Sequence, residues 1–367
     1  MFNTKKRKTK CNGLSKSRCL YPCIFVNKTR KYCRKSKNHL KKKYPDRSIE
    51  QYVIQSQFSP KYNIFASVLE CSNISSSHIR DNTISLKMKL PNGECAKYSD
   101  QRVIDIFLTN LAKHNTVHFT NLLVPKQFIR NCWFNVGLMI HYVSDKGRKY
   151  NKYLRHYMIT GKLHNLKPPT TRFRKTLFIL NIIIESILKG DNFSYTINTN
   201  DIIQRLYQDI PSKYKTYNVG DNGNPFRYQL SLLNYIHGVN VHTRFYLGTN
   251  IYDNPTKINV HDNHTLSVVI QDDMYSVQNK VSTLTDIHGN SYELDAVLLR
   301  DRSKRHFGCF ITINGKQYIY DGASEPSIKQ FNWKTYLNKD TNIHMSPKNT
   351  TAWNFRKGYH VLVYYKV

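Results

Sequence analysis

The spacing of apolar residues changes character along this chain, from a helical period in its middle to a strand period in its last third. Residues 102–114, RVIDIFLTNLAKH, repeat apolar side chains at three- and four-residue intervals and predict a helix. Residues 131–143, NCWFNVGLMIHYV, are apolar almost all round and predict a buried helix. A third helix is predicted over residues 170–188. Its apolar run, TLFILNIIIESIL, is interrupted by Asn181 and Glu185 and is too short to span a bilayer. After VGDNGNPFRY (219–228), a loop rich in Gly and Asn, the pattern turns to strands: HTLSVVIQ, SYELDAVLLR, HFGCFITI, KQYIY and GYHVLVYYKV. Helices followed by strands predict an α+β fold.

Within the strand region, Asn314-Gly315 predicts a two-residue hairpin turn of type I′, which needs positive φ at both central residues. That turn pairs Ile313 with Lys316 and sets the register for the rest. His306 then falls opposite Ala323, with Asp321 diagonal to it on the same face, roughly 7–8 Å away. Phe307, Cys309, Ile311 and Ile313, opposed by Tyr318 and Tyr320, form the other face, which is expected to be the buried one. A carboxylate bonded to one imidazole nitrogen selects the tautomer and leaves the second nitrogen to handle a proton.

Such a base needs a nucleophile. Cys132 stands where the chain enters the apolar helix of residues 131–143, and a thiol there feels the positive end of the helix dipole. His306 could activate it if the fold closes a gap of 174 residues. Gln127, five residues upstream, could donate its side-chain amide, together with the Cys132 backbone N–H, to an oxyanion. Cys309 suits a buried structural role. His141 and His156 are alternative bases, but neither is followed by a matching orienting acid.

Charge adds a second theme. The net charge is +32, and residues 1–43 hold 16 Lys and Arg with no acid, a field that favours polyanions such as nucleic acid. The same stretch holds Cys11, Cys19, Cys23 and Cys33, whose gaps fit a zinc site weakly. Eight cysteines without a signal peptide suggest a reducing, intracellular setting, in which thiols are more often buried, metal-bound or nucleophilic than paired. Three regions follow: a basic segment over 1–48, a linker or lead-in over 49–100, and a main domain over 101–367.

With these residues in view, NCWFN before an apolar helix, and YELDAVLLRDRSKRHFGCFITINGKQYIYDGAS 160 residues later, resemble the ubiquitin-specific proteases. The closer likeness is to the reduced peptidases of that type encoded by large DNA viruses. Trp133, Phe134 and Asn135 match the residues after the family's cysteine. Tyr292, Phe307, Gly315, Tyr318, Tyr320 and Asp321 match its histidine box in order. The resemblance implies a papain-like fold, with a helical thumb carrying the cysteine and an antiparallel β palm carrying the histidine and acid. It implies Cys132 as nucleophile, His306 as general base, Asp321 as orienting acid, and Gln127 at an oxyanion position where Asn is more usual. Arg305 replaces the glycine that normally precedes the histidine, and no paired Cys-x-x-Cys fingers lie between Cys132 and His306.

The implied activity is thiol-dependent hydrolysis after the C-terminal Gly-Gly of ubiquitin or a ubiquitin-like modifier, in the host cytoplasm or nucleus or packaged in a virion. No cofactor and no membrane partner is implied. Two other readings are a cysteine protease that processes viral or cellular proteins, and an inactive basic nucleic-acid-binding or virion protein.

Overall fold

The structure is a computed structural model. It describes residues 23–27, 31–35, 70–72, 85–113, 117, 122–162, 169–191, 194, 197–237, 243–247, 257–258, 265–272, 280–301, 303, 306–346 and 350–367. The chain forms two compact units, Met1–Pro60 and Lys61–Val367. In the first, β1 (Cys23–Asn27) and β2 (Lys31–Lys35) make an antiparallel hairpin in which Cys23 pairs with Lys35, and Phe25 with Cys33. Cys11 and Cys19 lie outside the described residues. Among those described, no group of three or more His, Cys, Asp or Glu could hold a metal.

The second unit opens with residues 70–72 against a hairpin of β3 (Lys87–Lys89) and β4 (Cys95–Lys97). Ser72 Oγ accepts from Lys87 N at 2.5 Å and donates to Lys87 O at 2.7 Å, and a Cys71–Cys95 disulfide clasps the same pieces. These two cysteines are therefore paired, against the preference for free thiols drawn from composition. Leu86, Met88, Leu90 and Ala96 pack into the same core as the helices, so this stretch, read as a lead-in, contributes to the main core.

Among the described residues, seven α-helices follow: α1 (Gln101–Lys113), α2 (Cys132–Leu138), α3 (Asp145–Tyr150), α4 (Lys152–Thr160), α5 (Thr171–Lys189), α6 (Thr199–Asp209) and α7 (Pro225–His237). The three helices expected from sequence are α1, α2 and α5. The α2 helix runs on into a π-helical turn over Met139–Val143, closed by Ser144 N bonding Met139 O at 3.0 Å. Thr170 caps α5 by accepting from Phe173 N, and Gly190 ends it with φ 74°. No described helix is long and apolar enough to cross a membrane.

The apolar pattern predicts a loop passing straight into strands after residue 228, but residues 225–237 form helix α7. Its start was legible. Asn224 accepts from Arg227 N at 3.0 Å, and Pro225 occupies the first helical position, where its missing N–H costs nothing.

The strands are β5 (Thr243–Leu247), β6 (Lys257–Ile258), β7 (Ser267–Asp272), β8 (Thr283–Asp286), β9 (Ser291–Arg300), β10 (Phe307–Ile313), β11 (Lys316–Tyr320), β12 (Ile328–Gln330) and β13 (His360–Lys366). They form one sheet in the order β12-β11-β10-β9-β13-β7-β5, with β8 also on β9 and β6 on β8. Only β5–β7 and β6–β8 are parallel among these pairs. The fold is α+β. The helices share one core with Cys309, Ile311, Val361 and Val363, while Phe310, Ile319, Leu362 and Tyr364 pack in a second core with Trp333, Trp353 and Phe355.

Both faces of the β10–β11 hairpin are thus buried, where sequence expected the face of Phe310 and Ile319 to be the more polar. Trp333, Leu337, Ile343, Met345, Trp353 and Phe355 supply the missing cover, which hairpin alternation alone cannot reveal.

A bulge joins the layers. Pairing of β13 with β9 passes from Val363–Ala296 to Tyr364–Leu294, leaving Asp295 unopposed. Its carboxylate accepts from Lys146 N at 3.0 Å and Gly147 N at 3.2 Å, at the start of α3.

Candidate active site

The site is assembled at the open end of the β10–β11 hairpin. Asn314 has φ 50° and Gly315 φ 71°, as a type I′ turn requires, and the register pairs Ile313 with Lys316 and Cys309 with Tyr320. Asp145, in the first turn of α3, accepts from Asn314 N at 2.8 Å and Gly315 N at 2.9 Å, fixing the turn against the helical layer.

At the other end, His306 precedes β10 and Asp321 follows β11. His306 Nε2 donates to Asp321 Oδ1 at 2.6 Å, so the expected diagonal closes into a direct bond. The backbone of His306 is held on both sides by Asp301: His306 N donates to Asp301 Oδ1 at 2.8 Å, and Asp301 N to His306 O at 2.7 Å. Asp321 is fully buried and further satisfied by Ala323 N at 2.9 Å and by the Ser324 hydroxyl. Trp353 stands beside the imidazole, with ring centroids 6.1 Å apart. Sequence reasoning did not single out Asp301, Ser324 or Trp353. The motif Asp-Gly-Ala-Ser was the available hint for Ser324, since Asp and Ser at this spacing often close a turn.

Cys132 is the first residue of α2 and is almost buried. Its position depends on the segment before it. Asn131 is the N-cap of α2, yet its side chain does not cap the helix; its Oδ1 accepts from Phe128 N at 3.2 Å and its Nδ2 donates to Thr199 Oγ1 at 2.8 Å. Thr199 Oγ1 donates onward to Asn135 Oδ1 at 2.7 Å, and Asn200 Nδ2 to Ile129 O at 2.8 Å. The start of α6 therefore clamps the chain on either side of Cys132. Arg130 takes φ 50°, costly for a residue with a Cβ, and donates to Gly220 O at 2.8 Å.

The two halves meet across the sheet end. Tyr320 Oη donates to Pro125 O at 2.6 Å, and Gln127 N to Gly322 O at 2.8 Å. A Cβ on Gly322 would lie 2.8 Å from Tyr320 Oη and 3.1 Å from Gln127 N, so glycine is what lets the lead-in approach. The result sets Cys132 close enough to His306 for its side chain to help raise the imidazole pKa. Since Nε2 is engaged by Asp321, the ring nitrogen left for Cys132 is Nδ1.

Burial by itself would lower the His306 pKa, but the bonds and charges of Asp321 and Cys132 outweigh it and carry the imidazole up to about 10. For Asp321, burial opposes ionisation, and the bond and charge of His306, with Ser324 and Ala323, bring its pKa below the usual value. Cys132, His306 and Asp321 are brought together; Gln127 joins them through its backbone, while its side-chain Oε1 is buried without a hydrogen-bond partner. Cys309 is fully buried, and burial pushes its thiol pKa well up. His141 is buried in the π turn with its pKa lowered to about 4 by burial, and His156 is exposed on α4. Arg305 lies outside the described residues.

The sequence matches no family profile and no curated protein. Among solved structures, the chain is similar to one described as the SAGA DUB module Ubp8/Sgf11/Sus1/Sgf73 bound to monoubiquitin. The TM-score is 0.43 at 8% identity, over 96% of this chain and 89% of that one. A likeness so low in score and identity carries no functional weight, so the chemistry rests on the site's own atoms.

Proposed function

We propose that this protein is a cysteine-type peptidase that cleaves after the C-terminal Gly-Gly of ubiquitin or a ubiquitin-like modifier. The observation that supports the chemistry is the 2.6 Å bond from His306 to the buried Asp321 carboxylate, with the Cys132 side chain beside the imidazole. The substrate class is supported by the sequence resemblance around Cys132 and from Tyr292 to Asp321.

In this reading His306 Nδ1 takes the thiol proton, and Asp321 stabilises the imidazolium that forms. Cys132 Sγ attacks the carbonyl carbon of the terminal glycine, forming an S–C bond and an oxyanion. The Cys132 backbone N–H, unpaired within the helix as a first-turn amide, and the Gln127 side-chain amide receive that charge. The C–N bond breaks as His306 gives its proton to the leaving amine. Neutral His306 then takes a proton from water, the hydroxide attacks the thioester, and Sγ leaves.

A ubiquitin probe with a C-terminal electrophile tests this. Wild type is expected to be labelled, Cys132→Ala not at all, and His306→Ala about 10²–10⁴-fold more slowly. Equal labelling of wild type and Cys132→Ala removes the assignment. Cleavage of other proteins that depends on Cys132, without any probe labelling, replaces the modifier by a processing substrate.

A further inference from the structure

One cavity away from the thiol has a wall made mainly of cations. It measures about 470 Å³ and is lined by Arg148, Lys149, Lys152 and Arg155, with Asp145, Asn314 and Leu111 completing it. The four basic residues come from the end of α3 and the start of α4, at spacings of three and four that bring side chains to one side of a helical path.

The cations are of two kinds. Arg148 is buried and donates to Val143 O at 2.6 Å and to Asp145 Oδ1 at 3.1 Å. Arg155 is fully buried, with Nε donating to Asn181 Oδ1 at 3.0 Å and Nη2 to Glu185. These guanidiniums are fixed, and their charges are offset by Asp145 and Glu185. The two lysines supply the excess. Lys149 Nζ lies 5.9 Å from the Tyr150 ring centroid, and among the described residues neither Lys149 nor Lys152 is ion-paired to an acid. Among the described residues, Leu111 is the single apolar side chain on the wall, which suits a ligand held by charge and hydrogen bonds.

We infer that this cavity binds a small soluble molecule carrying several phosphate groups. Two uncompensated lysines call for at least two negative charges, and the volume exceeds what one phosphate fills. Inorganic polyphosphate and inositol polyphosphates share that chemistry. The site is also joined to the hairpin that bears His306 and Asp321, because Asp145 and Asn314 both line it and bond to each other through the Asn314 amide. Occupancy therefore holds the hairpin turn.

The test is calorimetric titration of the full chain with inorganic tripolyphosphate and, separately, inositol hexakisphosphate, at physiological ionic strength. One equivalent of at least one of them is expected to bind. Lys149→Glu with Lys152→Glu should weaken it by roughly tenfold or more, whereas Lys334→Glu with Lys339→Glu, at lysines elsewhere on the sheet unit, should leave it unchanged. Hydrogen exchange at Asn314 and Gly315 should slow on binding to wild type. The inference is overturned if neither ligand binds, if the Lys149/Lys152 variant binds as wild type does (the ligand then sits on other cations, such as the basic N-terminal stretch), or if both double variants weaken alike. It also fails if a short DNA duplex displaces either ligand and loses its own affinity in the Lys149/Lys152 variant, since the occupant is then a nucleic-acid backbone.

Discussion

The Asp321 carboxylate takes a 2.6 Å hydrogen bond from His306 Nε2, although both residues lie just outside the paired ends of the hairpin that joins them. The ladder ends at Cys309–Tyr320. Beyond it the two strands are free to separate, and Asp301, Ser324 and Ser327 hold them at the distance the bond needs.

Replacing Asp321 by Asn removes the charge that sustains the imidazolium. The His306 pKa is then expected to fall from about 10, read by NMR titration of the ring, with kcat/KM down by about 10²-fold or more. An unchanged imidazole titration would separate Asp321 from the site.

Stability should depend on pH through the same pair. The folded His306 pKa of about 10 exceeds its ordinary 6.5, so its contribution is complete below pH 6.5 and is lost as pH rises toward 10. Asp321 has the opposite sign: its lowered pKa adds stability above the ordinary carboxylate value of 3.8, and that contribution fades as pH falls. Urea melts across pH 6.5 to 10 should show declining stability in wild type and a flatter course in His306→Ala.

Native alkylation with a small chloroacetamide should modify Cys132 and spare Cys309, as read by peptide mass spectrometry. Cys309→Ala is expected to retain activity and to lose roughly 1–2 kcal/mol of stability from a small cavity. Modification of Cys309 at a comparable rate would contradict its burial.

The clamp around Cys132 predicts coupling. Asn131→Ala and Thr199→Val each leave a buried partner unmatched and should cost about 1–3 kcal/mol. The double variant should cost less than the sum, because one hydrogen bond between them is lost only once. Additive costs in denaturant melts would mean that the bond contributes nothing.

Gly223 lies flat on the ring of Trp133, the residue after Cys132; a Cβ there would come within 2.3 Å of the indole. Gly223→Ala should therefore push the 219–224 loop off the indole, cost roughly 1–3 kcal/mol, and lower kcat/KM. A variant with wild-type melting temperature and activity would show that the loop yields freely.

Much of this molecule is written locally. The spans of α1, α2 and α5, the five long strands, the Asn314-Gly315 turn with its register, and Cys132 at a helix start all follow from side-chain period and turn chemistry, which act over a few residues. The missed α7 was also local: Asn224-Pro225 followed by Phe226, Leu230 and Leu233 is a capped amphipathic pattern that the preceding Gly/Asn-rich loop obscured. Tertiary structure alone decided that both hairpin faces are buried, since Trp333, Trp353 and Phe355 arrive from later in the chain. It alone closed the 174 residues between Cys132 and His306. It also set Thr199 behind Asn131, and Glu185 against Arg155. The reason is physical: local pattern specifies which face of an element avoids water, whereas the identity of what covers that face depends on how distant elements pack.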